Sequence, residues 1–262
     1  MLEKIKQLNA IFDTHAHYND KKFDKNRIEI IKHIKKNGVS NVCNISSSLE
    51  ECKTSIELAN KFDFFICTVG IHPENIYNLP NDWTIKLENF AKQKKVVAIG
   101  EIGLDYHYDK FDKNKQIETF ENQMNIAAKF NLPVVIHSRD ATMDTLNIIK
   151  KFPTVRGVIH CFSGSAESAL KYIELGYFIG FTGILTFKNA KQVKTVAKIV
   201  PIEKVVIETD CPFLAPEPWR GQICNSSMLI SVVQELAKIK QIEIKDVVKI
   251  TQKNGFKLYR IK

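Results

Sequence analysis

Apolar residues fall along this chain in short runs, alternating with longer stretches of helical spacing. Eight runs rich in Val, Ile and Phe read as strands: 11–17, 39–47, 64–72, 96–104, 132–138, 157–162, 178–182 and 205–210. Amphipathic stretches separate nearly all of them. Ile28, Ile31 and Ile34 recur at helix spacing after the first run, and Ile117, Phe120, Met124 and Ala127 form a second stripe. Ser48 with Glu51 makes a capping-box pattern ahead of Ile56 and Leu58. Asn37-Gly38 and Gly176 read as helix stops, and 228–239 and 247–258 read as two closing helices. Strand–helix alternation implies a parallel α/β sheet, and eight repeats match a single (β/α)8 TIM barrel. A doubly wound open sheet is the alternative, but it wants a Gly-rich phosphate turn after its first strand. Here that strand ends in His15-Ala16-His17 instead. No linker or composition shift marks a boundary, so 1–262 reads as one domain.

Composition adds little to that frame. At 44% hydrophobic residues, the chain can bury a sizeable core. The net charge of +9 favours polyanionic partners such as nucleic acid. Only five of the 38 basic residues are Arg, however, and the lysines are scattered over apparent helix faces, so most of this charge reads as a solvated surface. Six cysteines include no Cys-x-x-Cys pair, and several sit in strand-like runs. Buried free thiols in a reducing compartment are therefore expected. No segment approaches the ~20 apolar residues of a membrane span, and no signal-peptide core precedes Ile11. The expected setting is the cytoplasm, with no membrane partner.

Barrel enzymes draw their chemistry from the C-terminal ends of the strands. Those ends carry Asp13-Thr14-His15-Ala16-His17, His72-Pro73, Glu101, His137-Ser138-Arg139, His160 and Glu208-Thr209-Asp210. Five of the seven histidines lie there. His15 and His17 are two apart on a strand and share a face, with Asp13 expected on the same face one step deeper. Imidazoles with a carboxylate suit a divalent ion. Glu101 stands between Gly100 and Gly103, small flanks that let it reach the centre; His137 and His160 can supply a second ion. Asp210 shares a face with Glu208. His33 reads as surface and His107 as loop. Cys161 and Cys211, each next to a candidate ligand, are expected on the opposite, core-facing side.

With these residues in place, the chain resembles a known family. Phe12–His17, Gly70-Ile71-His72-Pro73, Gly100–Asp105, Pro133–Arg139, His160–Gly164, Glu208-Thr209-Asp210 and Arg220-Gly221 are similar, in order, to the motifs of the TatD-type metal-dependent deoxyribonucleases, amidohydrolase-like barrels. The resemblance runs from about residue 11 to the C-terminus. It implies two divalent ions (Mg, Mn or Zn), one held by His15, His17 and Asp210, the other by His137 and His160, with Glu101 between. It also implies that His72, Arg139 and Arg220 contact the substrate or its phosphate. Family members are described as 3′–5′ exonucleases or less specific DNases, some tied to DNA repair or breakdown. One stretch departs: the family usually continues Arg-Gly-x-x-Asn-Glu-Pro, whereas Ser226-Ser227 here follow Asn225. Ser is a good helix N-cap, so the change reads as structurally silent.

The implied reaction is hydrolysis of a DNA phosphodiester by water activated between two ions. Asp210 and Glu101 are the catalytic candidates, with Asp210 both ligand and proton acceptor. Glu208 and Asp105 read as orienters of the ligands. The expected partner is DNA, as single strands or 3′ ends, met by a monomer. The rivals are hydrolysis of a cyclic amide, a lactone or an aminoacyl-tRNA ester, and a non-catalytic nucleic-acid-binding barrel. Relatives that open cyclic amides often bridge their ions with a modified Lys near the end of the fourth strand, where this chain has Glu101.

Overall fold

All eight expected strands form and pair in chain order as one parallel sheet. They are β1 (Ile11–Ala16), β2 (Val39–Asn44), β3 (Phe65–Val69), β4 (Val96–Asp105), β5 (Val134–Arg139), β6 (Gly157–Ile159), β7 (Phe178–Phe181) and β8 (Val205–Ile207). This computed structural model describes residues 10–109 and 111–261; the reading of the chain before Ile11 as free of an export signal lies, Ala10 apart, outside them. Helices α1 (Arg27–Lys36), α2 (Leu49–Lys61), α3 (Trp83–Ala91), α4 (Lys113–Phe130), α5 (Thr142–Lys150), α6 (Ala166–Glu174) and α7 (Lys191–Ile199) connect successive strands. Helices α8 (Leu229–Lys240) and α9 (Ile244–Tyr259) follow β8. The segment after β8 returns to β1: Ala16 bridges Cys211, the Asp210 N–H donates to the His15 carbonyl at 2.9 Å, and the His17 N–H donates to the Cys211 carbonyl at 2.8 Å. The barrel closes through the residues that carry the candidate ligands. Among the described residues, no helix is long and apolar enough to cross a membrane.

Two apolar layers follow from the strand period. Residues facing the helices form the larger core, where Ile31, Ile34, Phe120 and Met124 of the expected stripes are buried. One apolar residue or more from every strand, from Phe12 of β1 to Val206 of β8, forms a separate cluster inside the barrel. Helix α9 closes the floor of that lumen: the Phe256 ring lies 5.6 Å from Phe12, and the Tyr259 hydroxyl donates to the Thr14 carbonyl at 2.6 Å. Apolar side chains thus fill that end of the lumen, and the candidate ligands lie toward the C-terminal ends of the strands.

Several strands stop before their apolar runs do. β6 ends at Ile159, β8 at Ile207 and β3 at Val69. Within three residues of the ends of β6 and β8, Cys161 and Asp210 take left-handed conformations at φ +45° and +58°, as does Asp140 directly after β5 at +53°. Such conformations are uncommon for residues with a side chain and cluster where function over-determines them. The Ser48–Glu51 cap also differs in detail. Ser48 accepts the Glu51 N–H at 3.2 Å, but the Glu51 carboxylate reaches back to the N–H and hydroxyl of Ser47, at 2.8 and 2.6 Å.

The glycines beside Glu101 serve the β4–β5 seam rather than the reach of the carboxylate. At Gly103, φ is +140°, and a Cβ would lie 2.0 Å from the His137 carbonyl oxygen. Gly103→Ala is expected to lose about 3 kcal/mol or more through backbone strain and overpacking. The measurement is the urea midpoint at unchanged slope; an unshifted midpoint would show that the seam opens without cost.

Candidate metal centre

Irregularities in two strands turn the candidate ligands inward. Between Asp13 and Ala16, β1 advances three residues while β2 advances two, from Val42 to Asn44. This extra residue breaks the alternation that would put Asp13 on the face of His15 and His17. Asp13 faces the β1–β8 seam instead. Its Oδ1 accepts the backbone N–H of Thr209 at 3.0 Å, and its Oδ2 accepts the hydroxyls of Thr209 and Ser226, both at 2.6 Å. Burial raises its pKa to about 6 against the pull of these donors. β4 carries the matching feature: Ile99 to Ile102 spans three residues against two in β5. The extra residue lies at Gly100-Glu101. There the Glu101 N–H donates to the Ser46 carbonyl at 2.7 Å, and the Thr68 hydroxyl donates to the Gly100 carbonyl at 2.5 Å.

Glu101 occupies the centre and has two sides. Its Oε2 lies 3.5 Å from His15 Nε2 and 3.8 Å from His17 Nε2. Its Oε1 lies 2.7 Å from His160 Nε2 and 3.1 Å from His137 Nδ1. On the first side, His15 Nε2 and His17 Nε2 are 3.0 Å apart, and Asp210 Oδ1 is 3.5 and 3.3 Å from them. On the second side, His137 Nδ1 and His160 Nε2 are 3.3 Å apart. Burial would push the Glu101 carboxyl up, yet the surrounding imidazoles, His160 foremost, hold it well below the usual range.

The outer nitrogens of the second pair meet carboxylates. His137 Nε2 is 2.9 Å from Asp105 Oδ2, and His160 Nδ1 is 3.6 Å from Glu208 Oε1. Glu208 is buried in space left by Gly180, where a Cβ would lie 2.7 Å from its oxygens; its Oε1 also accepts the Cys161 N–H at 2.5 Å. Against the effect of burial, Glu101 together with these outer carboxylates raises the pKa of both rings. With cations bound, Asp105 and Glu208 would take the outer imidazole protons and leave the inner nitrogens as ligands.

The donor set fits divalent ions. Two ligands at about 2.1 Å from one ion are about 3.0 Å apart at an octahedral angle and about 3.4 Å apart at a tetrahedral one. The nitrogen pairs on the two sides, at 3.0 and 3.3 Å, fall on those edges, although neither pair gains much from direct contact. Among the described residues, three groups bring ligand atoms within 4.8 Å of one another: His15–His17–Asp210, His15–Glu101–His160 and His72–Glu101–His137. Glu101 belongs to two of them, and His15 links the third.

The other expected site residues divide. His72 and Arg139 line the same cavity, of about 730 Å³, as Glu101 and Asp210. His72 Nε2 is 3.7 Å from Glu101 Oε1, and its Nδ1 accepts the Glu74 N–H at 3.2 Å. Burial drives its pKa down to about 3, so the ring is neutral and its proton sits on Nε2, facing the cavity. Arg220 is not brought to that cavity; it is exposed, with its guanidinium 4.0 Å above the Phe187 ring. His33 and His107 are exposed, as expected.

Two local expectations are corrected. Cys161 is half-buried and lines the cavity, because its left-handed backbone breaks the alternation after His160; Cys211 is buried as expected. The loop after Arg220 is not silent either. Asn225, rather than a serine, caps the turn at Ser226–Met228, which frees Ser226 to bury its hydroxyl against Asp13 and the Tyr18 hydroxyl, 2.7 Å away. Tyr108 and Phe213, both on the cavity rim, carried no sequence signal, since loops have no period to betray them.

Comparison with known proteins identifies the family and the fold. Residues 12–260 match the family of TatD related DNases. The metal-dependent hydrolase YabD of Bacillus subtilis is 38% identical over 253 residues, which cover 96% of this chain and 99% of that one. A hydrolase TatD family protein from Entamoeba histolytica has a solved structure with TM-score 0.87 at 26% identity, covering 95% of this chain and 98% of that one. YjjV, a TatD homologue from Escherichia coli, gives TM-score 0.92 at 24% identity over 97% of this chain and 100% of that one, which shows the shared fold.

Proposed function

Since the chain belongs to the TatD related DNases, metal-dependent hydrolases on this barrel, we propose that it cleaves DNA phosphodiester bonds as a 3′–5′ exodeoxyribonuclease with two divalent ions. The observation that supports this reading is the two-sided Glu101, with His15, His17 and Asp210 about one oxygen and His137 and His160 about the other. Its expected form is a cytoplasmic monomer acting on single strands or 3′ ends.

When bound, divalent ions offset charge on a phosphoryl group and acidify water, which no single side chain here can do. The chain's own residues position the reaction. Asp210 turns Oδ1 to His15 and His17 and keeps its other oxygen to accept a proton from the attacking water. Arg139 is half-buried at the end of β5 and reaches the cavity, where its planar fork pairs with phosphate oxygens. Neutral His72 offers Nε2–H to a phosphoryl or leaving-group oxygen. Asp105 and Glu208 hold the second pair of imidazoles in orientation. Arg220 would reach a phosphate only after leaving Phe187.

The test is digestion of end-labelled single-stranded DNA with Mg, Mn or Zn, with and without chelator. Stepwise shortening from the 3′ end, abolished by chelator, is the expected result. Chelator-insensitive cleavage, or none under any metal, would overturn the reading.

A further inference from the structure

Two large aromatic side chains stand in solvent at the mouth of the cavity, Tyr108 at 54% exposure and Phe213 at 43%. Each is three residues beyond a carboxylate of the site. Tyr108 follows Asp105, whose Oδ1 accepts the His107 N–H at 2.9 Å, and Phe213 follows Asp210, whose carbonyl accepts the Phe213 N–H at 3.0 Å. They leave the barrel after β4 and β8, strands four apart in a ring of eight and so on opposite sides of the opening. Each ring also carries a cation. The Arg139 guanidinium lies 5.3 Å from the centre of Tyr108, and Lys22 Nζ lies 4.2 Å from the centre of Phe213.

We propose that Tyr108 and Phe213 are stacking platforms for the nucleobases on either side of the scissile phosphate. This rests on the nuclease reading above and names how that site takes its substrate. An exposed apolar ring is costly in water, and a nucleobase offers it a π-face of matching size. Each cation lies over one face of its ring, so a base would stack on the opposite face, with the positive charge within reach of the phosphates that flank it. That is the pairing by which single strands are held without reading sequence. Bases stacked this way have left their own helix, so the platforms select unpaired strands.

The decisive comparison uses two oligonucleotides, an ordinary single strand and one with abasic sites flanking the terminal linkage. Tyr108→Ala and Phe213→Ala are each expected to raise KM on the ordinary strand roughly 5- to 150-fold. On the abasic strand they change little, because the wild type has already lost the same contact. Tyr108→Phe restores the wild-type value. Equal effects of the alanine variants on both strands, or no effect on either, overturn the platforms while leaving the nuclease reading in place. A wild-type protein that cuts neither strand in any metal overturns the nuclease reading and the platforms together.

Discussion

Glu101→Gln is expected to leave a folded barrel that holds fewer than two ions and has lost about 10⁴-fold or more in kcat/KM. The substitution keeps shape and volume, so packing between β3 and β5 is undisturbed. What changes is charge and donor pattern. In the native chain, Oε2 faces His15 and His17, and Oε1 faces His137 and His160, so one carboxylate serves both halves of the site. The amide presents one carbonyl oxygen to one side and an NH2 to the other. An NH2 cannot ligate a cation and points its protons at imidazole lone pairs. One half must therefore lose a ligand, and the negative charge that joined the halves is gone. Three measurements decide the case: metal content of the purified variant, its rate, and the rise in melting temperature on adding metal, which a site without affinity does not show. Two tightly held ions with near-normal activity would remove Glu101 from the centre.

The residues in that argument were legible before any coordinates because the barrel converts strand ends into a site. His15, His17, Glu101, His137, His160 and Asp210 each close an apolar run, and eight parallel strands leave only one place where their ends meet. What could not be read were the departures from period two. The extra residue after Asp13 turned its carboxylate from the lumen to the seam, where it binds Thr209 and Ser226. The left-handed backbone at Cys161 brought into the cavity a thiol that alternation puts in the core. Both are local backbone choices set by tertiary hydrogen bonds, and one residue of offset reverses every facing assignment that follows. Ser226 shows the same limit in a loop. As a substitution in a motif it reads as a spare cap, yet its hydroxyl ties the segment after β8 to the first strand.

That tie bears on Asp210→Asn, the variant that separates holding an ion from moving a proton. Asp210 is fixed from both directions: its N–H donates to the His15 carbonyl, and its own carbonyl accepts from Phe213. Its Oδ1 sits 3.3 Å from His17 Nε2 and 3.5 Å from His15 Nε2, and these neighbours keep the carboxyl below its usual range although burial acts the other way. The group is therefore ionised at neutral pH, as a ligand and a proton acceptor both require. Asparagine keeps an oxygen where Oδ1 stands but cannot take up a proton. The variant is expected to bind its ion more weakly and to lose about 10³-fold in kcat, with KM changed little. Metal titration distinguishes the two roles. If Asp210 only held the ion, saturating metal would restore the rate. If it also accepts the proton, kcat stays low at full occupancy while metal content returns to the wild-type value. Full recovery of kcat at saturating metal would leave Asp210 a ligand alone and move the base to another group in the cavity.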